Sequence, residues 1–229
     1  MKIGGMHTCS LIDYPGKICT ILFAQGCNFR CPYCHNPQLV APELFTDPLQ
    51  QERIFEFLRR RRGKLDAVTI SGGEPTLQPG LVSFVRRVKA LAFAVKLDTN
   101  GSRPEVLSEL ISKGLLDFIA MDLKAPLARY AEVVGTPVAT EAIRESVRLI
   151  MASGVDYEFR TTWVPCLLST DDLDAMMQEV HGAARYVIQR FVPERTLDPH
   201  FRCQTPLDSP SPERLAALAA PHVAACLVR

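Results

Sequence analysis

No stretch of this 229-residue chain is apolar for long enough to span a bilayer. Its opening residues, MKIGGMHTCS, lack the apolar core of a secretory signal. Both absences point to a cytoplasmic protein without a membrane anchor. There is no excess of charge either: 26 Lys and Arg stand against 25 Asp and Glu, for a net charge of +1. A chain so balanced has no global field to draw nucleic acid or an anionic surface. The run Arg59-Arg60-Arg61-Arg62 has no second basic cluster to extend it. It reads as a solvated helix end whose cations complement the helix dipole. Low-complexity segments and internal repeats are lacking too. In a reducing compartment the 8 cysteines are better explained by ligation or burial than by disulfides. Cys9, Cys19, Cys166, Cys203 and Cys226 have no ligand spacing and read as small buried hydrophobes.

What is present is concentrated in Gly26–Asn36, GCNFRCPYCHN, which sets Cys27, Cys31 and Cys34 in a C-x-x-x-C-x-x-C spacing. Thiolates are soft ligands that select iron–sulfur clusters, zinc or Cu(I). A closed zinc site, or a cluster held at every iron by cysteine, needs a fourth ligand. None is nearby; His35 adjoins Cys34, a poor geometry for both to grip one metal. A cluster held by only these cysteines leaves one iron open to a small molecule. The alternative is a zinc knuckle or a loop of incidental cysteines.

The hydrophobic content of 47% and the length suit one α/β domain, 1–229, with a lead-in at 1–16 and a tail at 193–229. Strands are expected at Lys17–Ala24, Ala67–Ile70, Phe93–Leu97, Leu116–Met121, Tyr157–Val164 and Tyr186–Phe191. Helical patterns alternate with them. One opens at Asp47-Pro48 and stops at Gly63, and others cover about 80–90, 103–114 and 140–152. A further helix is capped by Thr170-Asp171-Asp172, and a short one is expected near 212–220, after a proline-rich tail. That is a β/α unit repeated about six times, which predicts a parallel sheet curled into an open partial barrel.

Polar motifs fall just after the strands, at the carboxyl edge where α/β folds build their sites. In Ser71-Gly72-Gly73-Glu74-Pro75, the glycines let a ligand approach the backbone and Glu74 offers an acceptor for an ammonium group. Asp98-Thr99-Asn100-Gly101 and Asp122-Leu123-Lys124 carry carboxylates able to hold ribose hydroxyls or a hard cation. Each of these motifs, alone, is also an ordinary turn. Arg160, inside a strand, needs an anionic partner if it faces the barrel; the other register turns it to solvent.

With Tyr33 before the third cysteine, the pattern C-x-x-x-C-x-aromatic-C resembles the signature of the radical S-adenosylmethionine enzymes. The resemblance extends to the Gly-Gly-Glu turn and, through Asp-Thr-Asn-Gly and Asp-Leu-Lys, to the activases of glycyl radical enzymes. Over residues 1–125 the chain looks most like the activating proteins of anaerobic ribonucleoside-triphosphate reductase that share the Ser-Leu-Ile-Asp-Tyr-Pro-Gly lead-in. The resemblance implies a partial (β/α)6 barrel and one 4Fe-4S cluster on Cys27, Cys31 and Cys34, with S-adenosylmethionine on its open iron. It implies that Tyr33, Gly72, Gly73, Glu74, Asp98, Thr99, Asp122, Lys124 and Arg160 serve cofactor binding. Glu74 would meet the methionine amino group, and Arg160 the carboxylate, with Lys124 serving that carboxylate or the substrate. Asp98, Thr99 and Asp122 would hold a monovalent cation. The implied partners are a glycyl radical enzyme, most closely the large subunit of an anaerobic ribonucleotide reductase, and a low-potential donor such as flavodoxin or ferredoxin. The chain has no spacing for the ferredoxin-like insertion of longer activases. Two rivals stand beside this reading: a radical enzyme acting on a small molecule, such as the deazapurine-forming carboxylate synthases, and a non-catalytic iron–sulfur or zinc module.

Overall fold

Short runs rich in β-branched residues, alternating with helices, build one open sheet. The structure, a computed structural model, describes residues 1–203 and 210–229. The strands are β1 (Ile3–Ser10), β2 (Cys19–Ala24), β3 (Ala67–Gly72), β4 (Ala94–Thr99), β5 (Phe118–Asp122), β6 (Asp156–Trp163), β7 (Tyr186–Arg190) and β8 (Cys226–Val228). They lie in sequence order in a single 8-stranded sheet. β1 is antiparallel to β2, and every later pairing is parallel. Each strand from β2 to β7 is followed by at least one helix, so the expected six-unit partial barrel is what the chain forms, and among the described residues it is not closed into a ring.

Two corrections apply at the edges. The lead-in is not merely a connector, since it supplies β1, and the tail ends in β8 rather than in a helix. Both strands are hard to see in the sequence. IGGMHTCS carries two glycines and only a weak alternation, and CLV is three residues long. The helix expected from Asp47-Pro48 begins instead at Gln51 and runs Gln51–Arg61, ending in the arginine run. The helix expected to be capped at Thr170 is capped by Ser169, whose side chain forms a capping box with Asp172. Part of the proline-rich tail, 204–209, lies outside the described residues.

Strand periodicity divides the interior in two. Val68, Ile70, Val95, Leu97, Ile119 and Met121 pack under the helices in the large outer core. Alternate residues, Cys19, Ile21, Ala67, Phe118 and Ala120, face into the barrel and form a smaller cluster with Tyr14. Tyr14 is 3% exposed and packs on Phe118 with ring centroids 5.7 Å apart. It stops the amino-terminal end of the barrel. Above this apolar plug the inner face turns polar, through Thr69 and Lys96 to the carboxyl edge. Of the cysteines expected to be buried hydrophobes, Cys19 is buried, Cys9 and Cys166 are exposed and Cys226 is intermediate. The side chain of Cys203 lies outside the described residues.

Just after β8 a half-exposed arginine covers a buried carboxylate. Arg229 reaches both carboxylate oxygens of Glu158 at 3.4 Å, and Glu158 is 1% exposed while Arg229 is 42% exposed. Arg229→Ala therefore uncovers a buried carboxylate, and is expected to cost roughly 1–2 kcal/mol, discounted from a fully enclosed pair for the exposed arginine. Urea denaturation checks this. The double variant with Glu158→Gln should recover most of the loss, and an unchanged midpoint for Arg229→Ala would assign the pair no stabilising role.

Candidate functional site

The carboxyl ends of the strands surround a cavity of about 370 Å³, within the range of small-ligand sites. Cys27, Cys31, Cys34 and Tyr33 line it from the loop after β2, Gly72 and Gly73 from the end of β3, and Asp98 and Thr99 from β4. Asp122 and Lys124 enter from the end of β5 and Arg160 from β6. Of the residues singled out in the sequence, all but Glu74 line this one space.

The cysteine loop is held by its backbone. Gly26 N–H donates to Leu39 O at 2.7 Å and Arg30 N–H to Val134 O at 2.8 Å. Cys34 N–H donates to Cys31 O at 3.0 Å, a tight turn that brings the second and third thiols near each other. The segment after β7 covers this loop: Asp198 N–H donates to Pro32 O at 2.9 Å. His35 Nε2 lies 3.0 Å from Val192 O and its ring stacks on Phe191. Burial pushes the Cys27 thiol up to about 12 and the Cys31 thiol up to about 11, and raises Cys34 as well. Loading these thiols with metal therefore releases protons. Among the described residues no three His, Cys, Asp or Glu side chains converge on a single metal ion. A cubane cluster asks for no such convergence, because each thiolate binds a different iron. Three soft thiols lining one desolvated cavity suit that donor set.

In the Gly-Gly-Glu turn the glycines line the cavity, as expected, and they also meet the backbone of the cysteine loop. A Cβ on Gly72, whose φ is +118°, would lie 2.4 Å from Ala24 N, and one on Gly73 would lie 2.1 Å from Gly26 O. The room left by the missing side chains is filled by the backbone leading into the cysteine loop. Glu74 N–H then donates to Gly26 O at 2.8 Å. The Glu74 side chain is fully buried and does not line the cavity. Its Oε1 accepts from Thr76 N–H at 3.0 Å, from the Thr76 hydroxyl at 2.5 Å and from the Thr99 hydroxyl at 2.8 Å. Its Oε2 accepts from Asn100 N–H at 2.7 Å. Burial pushes its pKa above the usual carboxylate range, against the pull of these hydrogen bonds.

Charge is laid along the inner wall as an alternating ladder. Lys96 Nζ donates to Asp98 Oδ1 at 2.5 Å, and Arg160 Nη1 lies 3.5 Å from the same oxygen. Arg160 Nε donates to Asp122 Oδ1 at 2.8 Å, and Lys124 Nζ to Asp122 Oδ2 at 3.0 Å. The register explains the contacts: Asp122 and Arg160 are directly paired across β5 and β6, and Lys96 precedes Asp98 by one pleat. The open question of Arg160's direction resolves inward, with its side chain 11% exposed. Burial works against ionising Asp122, but Arg160 and Lys124 outweigh it and hold the carboxyl at about 2. Burial is outweighed at Asp98 too, by Arg160 and Lys96, and its pKa is lowered.

A model of the Radical SAM superfamily matches residues 21–180. The chain belongs to the radical SAM superfamily. It is 35% identical over 213 residues to a Methanocaldococcus jannaschii protein provisionally named a glycyl-radical enzyme activating enzyme, covering 87% of this chain and 84% of that one. It is 33% identical over 133 residues to the pyruvate formate-lyase-activating enzyme of Clostridium pasteurianum, 54% of this chain and 52% of that one. Among solved structures, SuiB of Streptococcus suis bound to its precursor peptide SuiA superposes with a TM-score of 0.68 at 13% identity, over 91% of this chain and 48% of that one. A domain of a pyruvate-formate lyase-activating enzyme from Bacteroides vulgatus superposes with a TM-score of 0.55 at 15% identity, over 71% of this chain and 98% of that one. These superpositions carry the fold alone. This is a radical SAM enzyme, homologous to the glycyl-radical enzyme activating enzymes. Membership implies a 4Fe-4S cluster and S-adenosylmethionine.

Sequence reasoning missed Lys96 and Asp13. Lys96 shares a strand face with Asp98 through the period of two, a signal available in AVKLDT. Asp13 lines the cavity from the β1–β2 loop, tied to the Ser10 hydroxyl; it belongs to the Ser10–Gly16 lead-in, but it follows no expected strand and has no ligand spacing to single it out. Two outcomes follow from the Gly-Gly-Glu turn. Gly73→Ala should reduce the iron held after anaerobic reconstitution to below about half of the roughly four per chain expected for a 4Fe-4S enzyme. Gly114→Ala, where φ is +62° and an added Cβ meets nothing within 4 Å, should cost about 1 kcal/mol and leave iron unchanged. Glu74→Ala strands several donors at about 1–3 kcal/mol each, so melting temperature and S-adenosylmethionine affinity should fall together. A loss of affinity with the melting temperature unmoved would make Glu74 a direct ligand.

Proposed function

We propose that this enzyme is an activase that installs a glycyl radical on a partner protein. The observation that carries the reading is the clustering of the three cysteine thiols and the Asp98–Arg160–Asp122–Lys124 ladder around one cavity. Cys27, Cys31 and Cys34 hold the 4Fe-4S cluster. When bound, the cluster and S-adenosylmethionine supply a 5′-deoxyadenosyl radical by one-electron cleavage, and that radical takes the hydrogen from a glycine Cα. The rest falls to the protein, which binds, orients and excludes water.

Arg160 and Lys124 face the carboxylate of S-adenosylmethionine, and Asp98 and Asp122 keep both cations fixed. Gly72 and Gly73 present backbone groups to its methionine portion, and Tyr33 packs beside the cluster. Thr99 and Glu74 act through the loops, holding the ends of β3 and β4 at one separation. The unclosed sheet admits a polypeptide loop from the side. The partner we favour is an anaerobic ribonucleotide reductase large subunit, on the Ser10–Gly16 lead-in, with flavodoxin or ferredoxin as the electron donor. One rival is a small-molecule radical enzyme. The "Probable GTP 3′,8-cyclase" of Pyrococcus horikoshii is 32% identical over 138 residues, 58% of this chain and 44% of that one.

The test mixes the reduced, reconstituted enzyme with S-adenosylmethionine and the reductase subunit without oxygen. Electron paramagnetic resonance should show a doublet from the α-hydrogen of a glycyl radical. Cys27→Ala, Cys31→Ala and Cys34→Ala should each abolish it, while Cys9→Ala and Cys166→Ala should not. Release of 5′-deoxyadenosine with no protein radical on any glycyl radical enzyme would favour the small-molecule rival.

A further inference from the structure

Lys96 is the one member of the charge ladder that the proposed function leaves without a task. It is 2% exposed, inside the barrel, with Phe118 beneath it at 5.9 Å from nitrogen to ring centroid. A lysine is buried at this depth only with a partner, and its partner is Asp98. The family resemblance assigns Asp98, Thr99 and Asp122 to a monovalent cation, and the residues present do not fit one. The Thr99 hydroxyl donates to Glu74, Asp98 accepts from Lys96 and Asp122 accepts from Arg160 and Lys124. Two carboxylates already face three fixed cations. A further cation would enter a region of net positive charge with few free oxygen ligands.

We infer that the Lys96 ammonium is a built-in replacement for an exchangeable monovalent cation, so that this enzyme binds S-adenosylmethionine without sodium or potassium. The inference rests on the reading of the cavity as the S-adenosylmethionine site and not on the identity of the protein partner. It makes Lys96 a positioning residue. It fixes Asp98, Asp98 shares Arg160 with Asp122, and the excess positive charge of the ladder is left for the ligand's carboxylate. A tethered ammonium does this independently of the salt in solution, whereas a bound ion does so only above its own dissociation constant.

The test uses the reconstituted full-length enzyme and measures S-adenosylmethionine affinity by equilibrium dialysis in choline, sodium and potassium chloride at equal ionic strength. Wild-type affinity should agree within about twofold across the three salts. Lys96→Met should weaken it by about tenfold or more in choline and recover most of the loss in sodium or potassium. Thallium-205 resonance should be broadened by Lys96→Met and not by wild type. A wild-type affinity that depends on sodium or potassium, or thallium bound by wild type, overturns the inference even if Lys96→Met fails to fold. So does a Lys96→Met variant with wild-type affinity in choline. No binding in any salt overturns the cavity reading as well, whereas salt-dependent binding overturns the Lys96 assignment alone.

Discussion

The site depends on one buried carboxylate. Glu74 collects donors from its own turn, through Thr76, and from the end of the next strand, through Thr99 and Asn100. Its backbone N–H meanwhile grips Gly26, where the cysteine loop begins. Three separate loops therefore meet at a single residue. A buried carboxylate without partners would be intolerable, and with four donors it becomes a rigid junction. The glycines before it complete the junction, since only a backbone without Cβ lets β3 lie against Gly26. The thiols can be held in register because nothing beneath them is free to slide.

Beside this hydrogen-bonded junction stands a wall of paired charges. Lys96, Asp98, Arg160, Asp122 and Lys124 form a chain in which no carboxylate faces a single cation alone. Burying such a set is costly, and well-packed apolar residues would serve stability as well or better. What the ladder secures is direction. Each charge is held by the next, so the excess sits at a fixed place on a partly buried wall, where its field is less screened than in bulk water.

Much of this could be read from the sequence, and the division between what could and could not is physical. The parallel strands announce themselves because strands buried on both faces are continuous apolar runs. The cysteine spacing is legible because thiolate softness restricts what such a cluster of donors can hold. The side-chain direction of Glu74 was not legible, because its donors Thr99 and Asn100 lie on another strand and the residue sits in a turn without period. Arg160 could be placed on a strand, but only the pairing with Asp122 sets its face. Lys96 sits where the period of two puts it, yet a lone lysine in a strand ordinarily marks the solvent side. β1 and β8 escaped notice because edge strands can be short and weakly patterned.

Tyr14 sets a rule of order on whatever enters. With the amino-terminal end of the barrel stopped by this ring against Phe118, the cavity is a blind alley at that end, entered only at the carboxyl edge and along the unclosed side. Guests in a blind alley queue: the one that goes deepest arrives first and leaves last. A small ligand seated on the charged wall becomes the floor on which a larger partner rests, and the larger partner becomes its lid. Exchange of the inner guest then waits on departure of the outer one, so the plug at one end imposes a sequence of events at the other.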